Sequence, residues 1–430
     1  MKINTKPLPG MMELLPEEQL EFDRILSVIR GVHQEFGFSP IDTPIIERSE
    51  TLLAKAGGET EKQIYRFSKG DNDLSLRFDL TVPTARFVAE NFGQLQFPFK
   101  RSQIGKVYRG ERAQRGRFRE FYQCDIDVIG RDKLSVNYDA EVIAVIYRIF
   151  RKLNFGDFTI RINNRNITSG LIEGLNLSEK SGEIMALIDR AEKISQDEFS
   201  RQLADLALGE NAQTIQDFIE ISGSNEEVLA KLQKIAADLN NSKFEKGVAE
   251  LSKVAELLEK MGVERKFFKL DMLIVRGLDY YTGTVFETNL NDFKEIGSIS
   301  SGGRYDNLSE YYSKEKMPGV GASIGLTRLF WCLRDLGLLN FSQRSTADFL
   351  IIPFSENELA KSLEIAQKMR ESGKKVEVLL EEMNVKKAFK FADKRGVKYT
   401  LLIGEREIEE GVFEFKNMDN GEKIPLEKLI

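Results

Sequence analysis

The chain has 430 residues, of which 41% are hydrophobic and 30% are charged, and its formal net charge is −6. This length exceeds what one hydrophobic core supports and predicts two or three domains. No run of the sequence has the apolar length of a membrane span, and the acidic balance argues against broad nonspecific binding of nucleic acid, while a local basic patch stays open.

Residue types that usually carry acid–base or metal chemistry are scarce. His33 is the single histidine and falls in a predicted amphipathic helix, where a structural or surface role is expected. Cys124 and Cys332 are far apart and lack companion ligands, which argues against structural zinc and for a reducing compartment. The N-terminus has no apolar stretch before a small-residue cleavage site, so secretion is not expected.

The first part of the chain predicts a helix followed by short strands. Apolar residues recur at helical spacing over 14–36, and Gly37 is placed to end that helix. In the next stretch, FSPIDTPIIE, Pro40 and Pro44 predict a strand at a sheet margin or a subunit contact. Two further strands are predicted over 64–68 and 74–83, joined by turn-forming residues at 70–73.

Residues 99–130 predict a hairpin with an arginine-dense, glycine-punctuated turn. In its second half, Gln123, Asp125 and Asp127 share one strand face, and apolar or aromatic residues occupy the other. A solvated surface is the usual explanation of such a charged face. The alternative is a substrate site whose arginines face an anionic phosphate. For Asp125 the sequence indicates no role.

The middle of the chain predicts a helix over 135–153 and an all-helical, acidic insertion over 167–262. Strands resume at Phe268 and lead to a helix whose start is rich in small residues, including Gly319, Gly321 and Gly325. This glycine run begins like a phosphate-binding loop but follows an irregular stretch. We therefore favour close helix–strand packing as its explanation.

The C-terminal part predicts a separate α/β domain over 346–430. Beyond a polar linker at 342–346, strands and helices alternate, and the last hairpin has an Asn420-Gly421 turn.

Three arginines stand beside glycines on different segments. Arg109 precedes Gly110 at a strand end, Arg276 precedes Gly277, and Arg328 lies one turn into the helix after the glycine run. Each alone is more often a surface ion pair. Together, in a chain without a histidine-activated nucleophile, they suggest a site that stabilises charge on a phosphate, because guanidinium groups bind phosphoryl oxygens bidentately and stay protonated.

The same segments resemble the motifs of a known enzyme family. Residues 99–130 resemble motif 2 of class II aminoacyl-tRNA synthetases, FSPIDTPIIE resembles motif 1 with Pro44 at its proline, and GVGASIGLTRL resembles motif 3 ending at Arg328. RGLDYYTGTVFE at 276–287 and SGGRYDNL at 301–308 resemble the two histidine-specific motifs of histidyl-tRNA synthetases. The C-terminal part resembles the anticodon-binding domain of class IIa, so the resemblance covers essentially the whole chain.

The resemblance implies an α+β fold. A class II catalytic domain over 1–335, an antiparallel sheet flanked by helices, would be interrupted by the helical insertion at 167–262. The anticodon-binding α/β domain would occupy 346–430.

The implied activity is ATP-dependent activation of L-histidine to histidyl-adenylate and transfer to the 3′ end of histidine tRNA. Asp127 and Tyr281 would hydrogen-bond the imidazole, and Asp79, Thr81 and Gln123 would hold the α-ammonium. The full implied histidine site is Asp79, Thr81, Arg109, Gln123, Asp127, Arg276, Tyr280, Tyr281 and Tyr305. Such polar recognition rejects analogues that lack the substrate's hydrogen-bonding groups.

Arg109, Arg276 and Arg328 are the implied catalytic residues. Arg109 would bind the α-phosphate of ATP, Arg276 would stabilise it from the other side, and Arg328 would lie near the γ-phosphate. Arg117 is a further implied ATP-binding residue. Mg²⁺ would accompany ATP, and neither a metal site on the protein nor zinc is expected.

The loop of motif 2 implies contacts to tRNA. Gln114 would contact the extra 5′ guanosine of histidine tRNA, and Arg112, Arg115 and Arg117 would meet acceptor-stem phosphates, which carry no sequence information. Motif 1 implies a homodimer. A cytoplasmic location without a membrane partner is expected, and the sequence does not indicate whether the insertion contacts tRNA.

A regulatory paralogue that binds histidine and activates ATP phosphoribosyltransferase is the alternative from another functional class. Such a protein could lose the catalytic arginines and the C-terminal domain. This chain retains Arg109, Arg276, Arg328 and residues 346–430, which favours the enzyme. Another class IIa synthetase is disfavoured by RGLDYYTG, and a plain interaction module would not require arginines in three motifs.

Overall fold

The computed structural model describes residues 3–54, 59–112, 116–275, 281–293, 296–306, 310–381 and 383–430. The chain divides into two compact units, one of Met1–Met12 with Ser27–Leu336 and the other of Glu13–Leu26 with Gly337–Ile430. The first helix, α1 (Pro16–Glu35), contributes residues to both units and matches the predicted helix over 14–36. Ile25, Ile29 and Val32 on its apolar side are fully buried.

The first unit contains an eight-stranded sheet and a three-stranded sheet. Their strands are, in chain order, β1 (Ser39–Pro40), β2 (Ile46–Arg48), β3 (Arg66–Lys69), β4 (Asn72–Leu76), β5 (Phe99–Tyr108), β6 (Glu120–Ile129), β7 (Phe158–Asn164), β8 (Phe268–Leu270), β9 (Tyr281–Leu290), β10 (Ser300–Tyr305) and β11 (Gly319–Gly325). The large sheet has the order β1-β5-β6-β11-β10-β9-β7-β8, and the small one β2-β4-β3. The large sheet is antiparallel in its centre, while β1 with β5 and β7 with β8 form parallel pairs at its margins.

The helices of this unit surround the sheets. They are, after α1, α2 (Ser49–Leu53), α3 (Glu59–Gln63), α4 (Thr81–Glu90), α5 (Asn137–Leu153), α6 (Arg165–Gly174), α7 (Ser181–Ile188), α8 (Gln196–Asp205), α9 (Asn211–Ile219), α10 (Asn225–Leu239), α11 (Ser242–Lys260) and α12 (Leu326–Asp335). Short 3₁₀ turns occur at Ser178–Lys180, Ala191–Lys193 and Arg265–Phe267.

The predicted hairpin is confirmed, and both of its faces are buried. β5 and β6 pair without a break from Phe99 opposite Ile129 to Tyr108 opposite Glu120. Ile126 and Val128 are fully buried on one face. Because the polar face is buried as well, a solvated surface does not explain it.

The second strand predicted near the N-terminus, over 74–83, is wrong in its latter half. β4 ends at Leu76, and α4 begins at Thr81. The carboxylate of Asp79 accepts a hydrogen bond from the Val82 amide at 3.1 Å, which satisfies a free N–H of the first turn. Pro83 lies in that same turn, where its missing N–H costs nothing.

Residues 167–262 are helical between their loops, as predicted. Two glycines let α6 and α11 approach closely, since a Cβ at Gly170 would lie 2.4 Å from the Phe244 nitrogen and one at Gly247 would lie 2.7 Å from the Ile167 nitrogen. The helices α6 to α9 share a buried apolar cluster that includes Leu187. The assignment of residues 167–262 as an insertion domain stays a prediction.

The second unit has its own five-stranded sheet, of order β13-β12-β14-β15-β16. Its elements are β12 (Phe349–Pro353), α13 (Glu356–Glu371), β13 (Val376–Val378), α14 (Val385–Arg395), β14 (Tyr399–Ile403), α15 (Glu405–Glu410), β15 (Glu414–Asn417) and β16 (Lys423–Pro425). The predicted α/β alternation is confirmed, with α15 as an additional short helix. The final hairpin turns at Asn420-Gly421, where Gly421 has a φ of +75°.

None of the helices in the described ranges combines the length and the apolar character needed to cross a membrane. Both cysteines, Cys124 and Cys332, are buried, and neither forms a disulfide bond.

His33 is buried against the large sheet, so of the two expected roles, structural or surface, the structural one applies. Its Nδ1 lies 2.8 Å from the hydroxyl of Ser102, and burial, together with the charge of Arg101, lowers the pKa of His33 to about 3. The unfolded chain takes up a proton at this histidine below about pH 6.5, whereas the folded chain does not. Stability that depends on neutral His33 is therefore lost progressively as the pH falls through that value.

We expect His33→Asn to remove this loss. Between pH 6.5 and pH 5, the free energy of unfolding of the unsubstituted protein should fall by about 2 kcal/mol relative to that of the variant. Burial raises the pKa values of Asp79 and Asp125, which titrate with the opposite sign in both proteins, so the difference between the two proteins is the quantity to measure. Urea unfolding followed by circular dichroism at several pH values tests this, and parallel pH profiles would contradict it.

Candidate active site

A cavity of about 510 Å³ lies over the large sheet. Strands β6, β9, β10 and β11 contribute to its wall, together with the beginnings of α4 and α12 and the segments that flank the hairpin turn. Of the residues implied by the family resemblance, it brings together Asp79, Thr81, Arg109, Arg117, Gln123, Asp127, Tyr281, Tyr305 and Arg328. Residues distant in the sequence thus share one cavity.

The resemblance implies five further site residues. Arg276, Tyr280, Gln114 and Arg115 lie outside the described residues. Arg112 is described and exposed to solvent. Their roles stay predictions.

Asp127 is a buried carboxylate of the cavity that two side chains hold. Its Oδ1 accepts a hydrogen bond of 2.8 Å from the hydroxyl of Tyr305, and its Oδ2 forms an ion pair with Arg101. Burial raises the pKa of Asp127, while Arg101 and Tyr305 act against that rise. Both neighbours are themselves buried, so the carboxylate has a fixed position.

Arg101 pairs with Asp127 and is not among the site residues predicted from the sequence. Its side chain has no solvent exposure and stands directly opposite Asp127 in the β5–β6 register. The predicted hairpin could have indicated this pair, because the register in which β5 and β6 pair places Arg101 directly across from Asp127. An unpaired buried guanidinium would be costly, so Arg101 and Asp127 depend on each other.

The glycine run belongs to a strand, β11, and not to the start of a helix, so the expectation of helix–strand packing is wrong. A Cβ at Gly321 would lie 2.1 Å from Oδ1 of Asp127, and one at Gly319 would lie 2.4 Å from the ring of Tyr305. These two glycines leave the space that Asp127 and Tyr305 occupy in the cavity floor.

Asp79 joins the cavity through the turn that starts α4. Burial raises its pKa to about 6, and the hydrogen bond from Val82 and the charges of Arg109 and Arg101 oppose that rise. Thr81 follows as the first residue of the helix. A buried carboxylate beside a hydroxyl suits a cationic ligand group.

Gln123 and Asp125 lie on the same strand face as Asp127 and line the cavity with Ser323 of β11. Nε2 of Gln123 donates a hydrogen bond of 2.9 Å to the Ser323 hydroxyl. Oε1 of Gln123 and Oδ1 of Asp125 are buried without a hydrogen-bond partner among the described residues. Burial raises the pKa of Asp125 to about 7, against the charge of Arg101 and a hydrogen bond from Ser323.

Two arginines of the cavity are anchored by backbone carbonyls. Nε of Arg109 donates to the Phe78 carbonyl at 3.0 Å, and its guanidinium lies 5.1 Å from the ring centre of Phe121. Arg328 donates to the carbonyl of Ile296. Anchoring fixes a guanidinium fork before a ligand arrives, which favours binding of phosphoryl oxygens.

Arg117 is held more loosely, since it is mostly exposed and lies 3.6 Å from Glu111.

In the described part of the chain, no three His, Cys, Asp or Glu side chains are grouped so that they could hold a metal ion. The cavity therefore combines buried carboxylates, of which Asp127 is held by Arg101 and Tyr305, with the anchored Arg109 and Arg328.

Comparison with known proteins identifies both units of the chain. The family model described as histidyl-tRNA synthetase matches residues 10–329, and the model of the anticodon binding domain matches residues 348–430. A histidine–tRNA ligase of Clostridium tetani is 50% identical and covers 98% of this chain and 96% of its own length. One from Clostridium acetobutylicum is 46% identical, with 100% and 99% covered.

Solved structures agree with the sequence relatives. The crystal structure of histidyl-tRNA synthetase from Nostoc sp. PCC 7120 has a TM-score of 0.93 and 39% identity to this chain. The match covers 100% of this chain and 99% of that structure. The similarity therefore includes both units.

Proposed function

Because the chain belongs to the histidyl-tRNA synthetase family, we propose that the cavity over the large sheet is where it activates histidine. The protein is an aminoacyl-tRNA synthetase with the activity of a histidine–tRNA ligase. The observation that carries the assignment of the site is the buried Asp127, held by Tyr305 and Arg101, in the same cavity as the anchored Arg109 and Arg328. The alternative of a regulatory paralogue has less support, since full-length relatives at 46–50% identity are histidine–tRNA ligases.

The acidic floor recognises the amino acid. Asp127 accepts a hydrogen bond from one imidazole nitrogen, and Tyr281 contacts the other, while Tyr305 fixes the carboxylate. Asp79, Thr81 and Gln123 receive the α-ammonium; Tyr280 completes the ring pocket by its place in the family motif. An analogue whose ring is of similar size but lacks either imidazole nitrogen would leave a buried protein group without its hydrogen-bond partner. This cost is the basis on which the site discriminates histidine from such analogues.

The arginines bind ATP and stabilise the first transition state. The histidine carboxylate attacks the α-phosphorus, its oxygen forms the new P–O bond, and the bond to pyrophosphate breaks. Negative charge on the α-phosphoryl oxygens is met by Arg109 and, from the other side, by Arg276, while Arg328 binds near the γ-phosphate and Arg117 adds a further contact. ATP enters as its Mg²⁺ complex, in which the phosphates and water supply ligands to the ion. This step requires no protein base.

The second step transfers histidine to tRNA. A ribose hydroxyl of the terminal adenosine attacks the activated carbonyl, and AMP leaves. Gln114 contacts the extra 5′ guanosine, and Arg112, Arg115 and Arg117 contact acceptor-stem phosphates. The C-terminal unit, which matches the anticodon binding domain, recognises the other end of the tRNA.

The oligomeric state and the location in the cell are two further proposals, supported by the family, by one exposed apolar pair and by the cysteines. Ile45 and Ile46, beside the motif 1 Pro44, are exposed apolar side chains that a homodimer would bury against a second copy, and sedimentation velocity would measure the oligomeric state. Two buried cysteines without a disulfide bond fit a reducing compartment such as the cytoplasm, which fractionation of cells would test.

Histidine-dependent exchange of pyrophosphate into ATP tests the proposal. We expect exchange with histidine at saturating Mg²⁺ and ATP, and none with other amino acids. Aminoacylation of histidine tRNA with and without its extra 5′ guanosine then tests the assignment of the loop around Gln114. Absence of exchange with histidine would contradict the proposed site, and equal charging of the two tRNAs would contradict the role of Gln114.

A further inference from the structure

We propose that Asp125 is a positioning residue which acts through Ser323 to turn the amide oxygen of Gln123 toward the bound amino acid. The proposal rests on the proposed function, in which Gln123 receives the α-ammonium of histidine. It gives a role to the one carboxylate of the strand face for which the sequence indicated none.

The three side chains form a connected row across two strands. Asp125 of β6 stands directly opposite Ser323 of β11, and Gln123 is two residues away on the same face as Asp125. Nε2 of Gln123 donates to the Ser323 hydroxyl at 2.9 Å, and Ser323, directly opposite Asp125, favours the ionised form of its carboxyl. All three line the cavity.

The chemistry of the groups sets the direction of each hydrogen bond. An ionised carboxylate can only accept, so a hydrogen bond between Ser323 and Asp125 uses the single hydroxyl proton of Ser323. The Ser323 oxygen is then left with lone pairs alone, and the Gln123 atom that faces it must be the amide nitrogen. Oε1 of Gln123 consequently points away from Ser323, and it is buried without a partner among the described residues. A buried, unpaired oxygen is the acceptor that a substrate ammonium requires.

The surroundings of Asp125 decide whether this direction is maintained. Burial raises its pKa to about 7, and the nearby carboxylates Asp79 and Asp127 act in the same direction. Arg101 and the hydroxyl of Ser323 favour the ionised form. At pH 8 the carboxylate form predominates, so that pH suits the test. A protonated or amide side chain at this position could instead donate to Ser323 and reverse the direction of the hydrogen bond between Ser323 and Gln123.

Two single substitutions test the row by histidine-dependent exchange at pH 8. In Asp125→Asn, the side-chain amide N–H at position 125 can donate to the Ser323 oxygen. The Ser323 hydroxyl then donates to Oε1 of Gln123, so that Nε2 of Gln123 faces the substrate ammonium. Ser323→Ala breaks the row outright. In both variants we expect the KM for histidine to rise about tenfold, with the KM for ATP unchanged and kcat within about threefold. Ser362→Ala, which removes a buried hydroxyl from α13 of the other unit, is the matched control and should keep the KM for histidine.

A rescue separates positioning from a structural role. Gln123→Glu combined with Asp125→Asn moves the carboxylate to position 123, where either orientation presents an oxygen to the ammonium. We expect this double variant to recover the KM for histidine to within about threefold of the unsubstituted value. Asp125→Asn combined with Ser323→Ala should be no worse than either change alone.

The outcomes are distinct. An unchanged KM for histidine in Ser323→Ala would overturn the proposal, as would a double variant that is no better than Asp125→Asn. If Asp125→Asn does not fold, Ser323→Ala by itself decides. Absence of histidine-dependent exchange in the unsubstituted protein would instead refute the proposed function, which keeps the two failures apart.

Discussion

Arg109→Ala is expected to lower kcat/KM for histidine-dependent exchange by about a thousandfold, because it removes a preorganised charge from the α-phosphate. The Arg109 guanidinium is anchored by the Phe78 carbonyl at 3.0 Å and lies over the ring of Phe121, so the folded protein presents it in one position. Alanine leaves a water-filled space that cannot stabilise the developing charge without reorganising. Steady-state exchange and single-turnover adenylate formation measure the loss.

Two further variants make this test specific to the guanidinium fork. Arg109→Lys keeps the charge and loses the bidentate geometry, so its activity should lie between those of the alanine variant and the unsubstituted protein. Arg131→Ala removes an exposed arginine that lies over Phe92, outside the cavity, and should leave exchange unchanged. An Arg109→Ala protein that is folded and within tenfold of normal activity would show that Arg109 does not bind the reacting phosphate.

Gly321→Ala should raise the KM for histidine by about a hundredfold, since it breaks the buried pair beneath the imidazole. A Cβ at this position would lie 2.1 Å from Oδ1 of Asp127, so the carboxylate must move. Movement separates Asp127 from Tyr305 and from Arg101, and leaves a buried guanidinium without its partner. Exchange kinetics at varied histidine concentration measure the effect.

Gly182→Ala in α7, which is not among the residues that line the cavity, provides the control. Apart from its own helix and chain neighbours, no heavy atom lies within 4 Å of a Cβ at Gly182, so the KM for histidine should stay within about threefold of normal. Thermal unfolding of both variants separates a local effect on the floor from a general loss of stability. A Gly321→Ala protein with a normal KM for histidine would mean that Asp127 does not need its observed position.

Much of the fold could be predicted because it depends on local pattern. Helical periodicity placed α1 and the helices of residues 167–262, and period two placed the polar face of β6. Family membership and the ligase activity, expected from the motifs, are confirmed by the full-length relatives. The errors occurred where local pattern competed with a specific contact. The strand predicted to reach residue 83 yields to α4 because Asp79 caps the Val82 amide.

The candidate site was predicted in part, through residue types and motifs. Asp127, Tyr305 and Arg328 were named from motifs, and the cavity brings them together. Arg101 and Ser323 were missed because neither belongs to a charge pattern that stands out along the chain. Their neighbours across the strands define them, and those neighbours are distant in sequence.

The sequence by itself determined that this chain carries paired polar strands, a polar strand face and arginines in three motifs, since these are properties of adjacent residues. Only the tertiary structure decided that Arg101 stands opposite Asp127, that Gly319 and Gly321 leave space for the cavity floor, and that Ser323 lies opposite Asp125 and accepts a hydrogen bond from Gln123. The physical reason is strand register. A shift of one residue would send each of these side chains to the other face of the sheet, and the packing of the whole sheet selects the register.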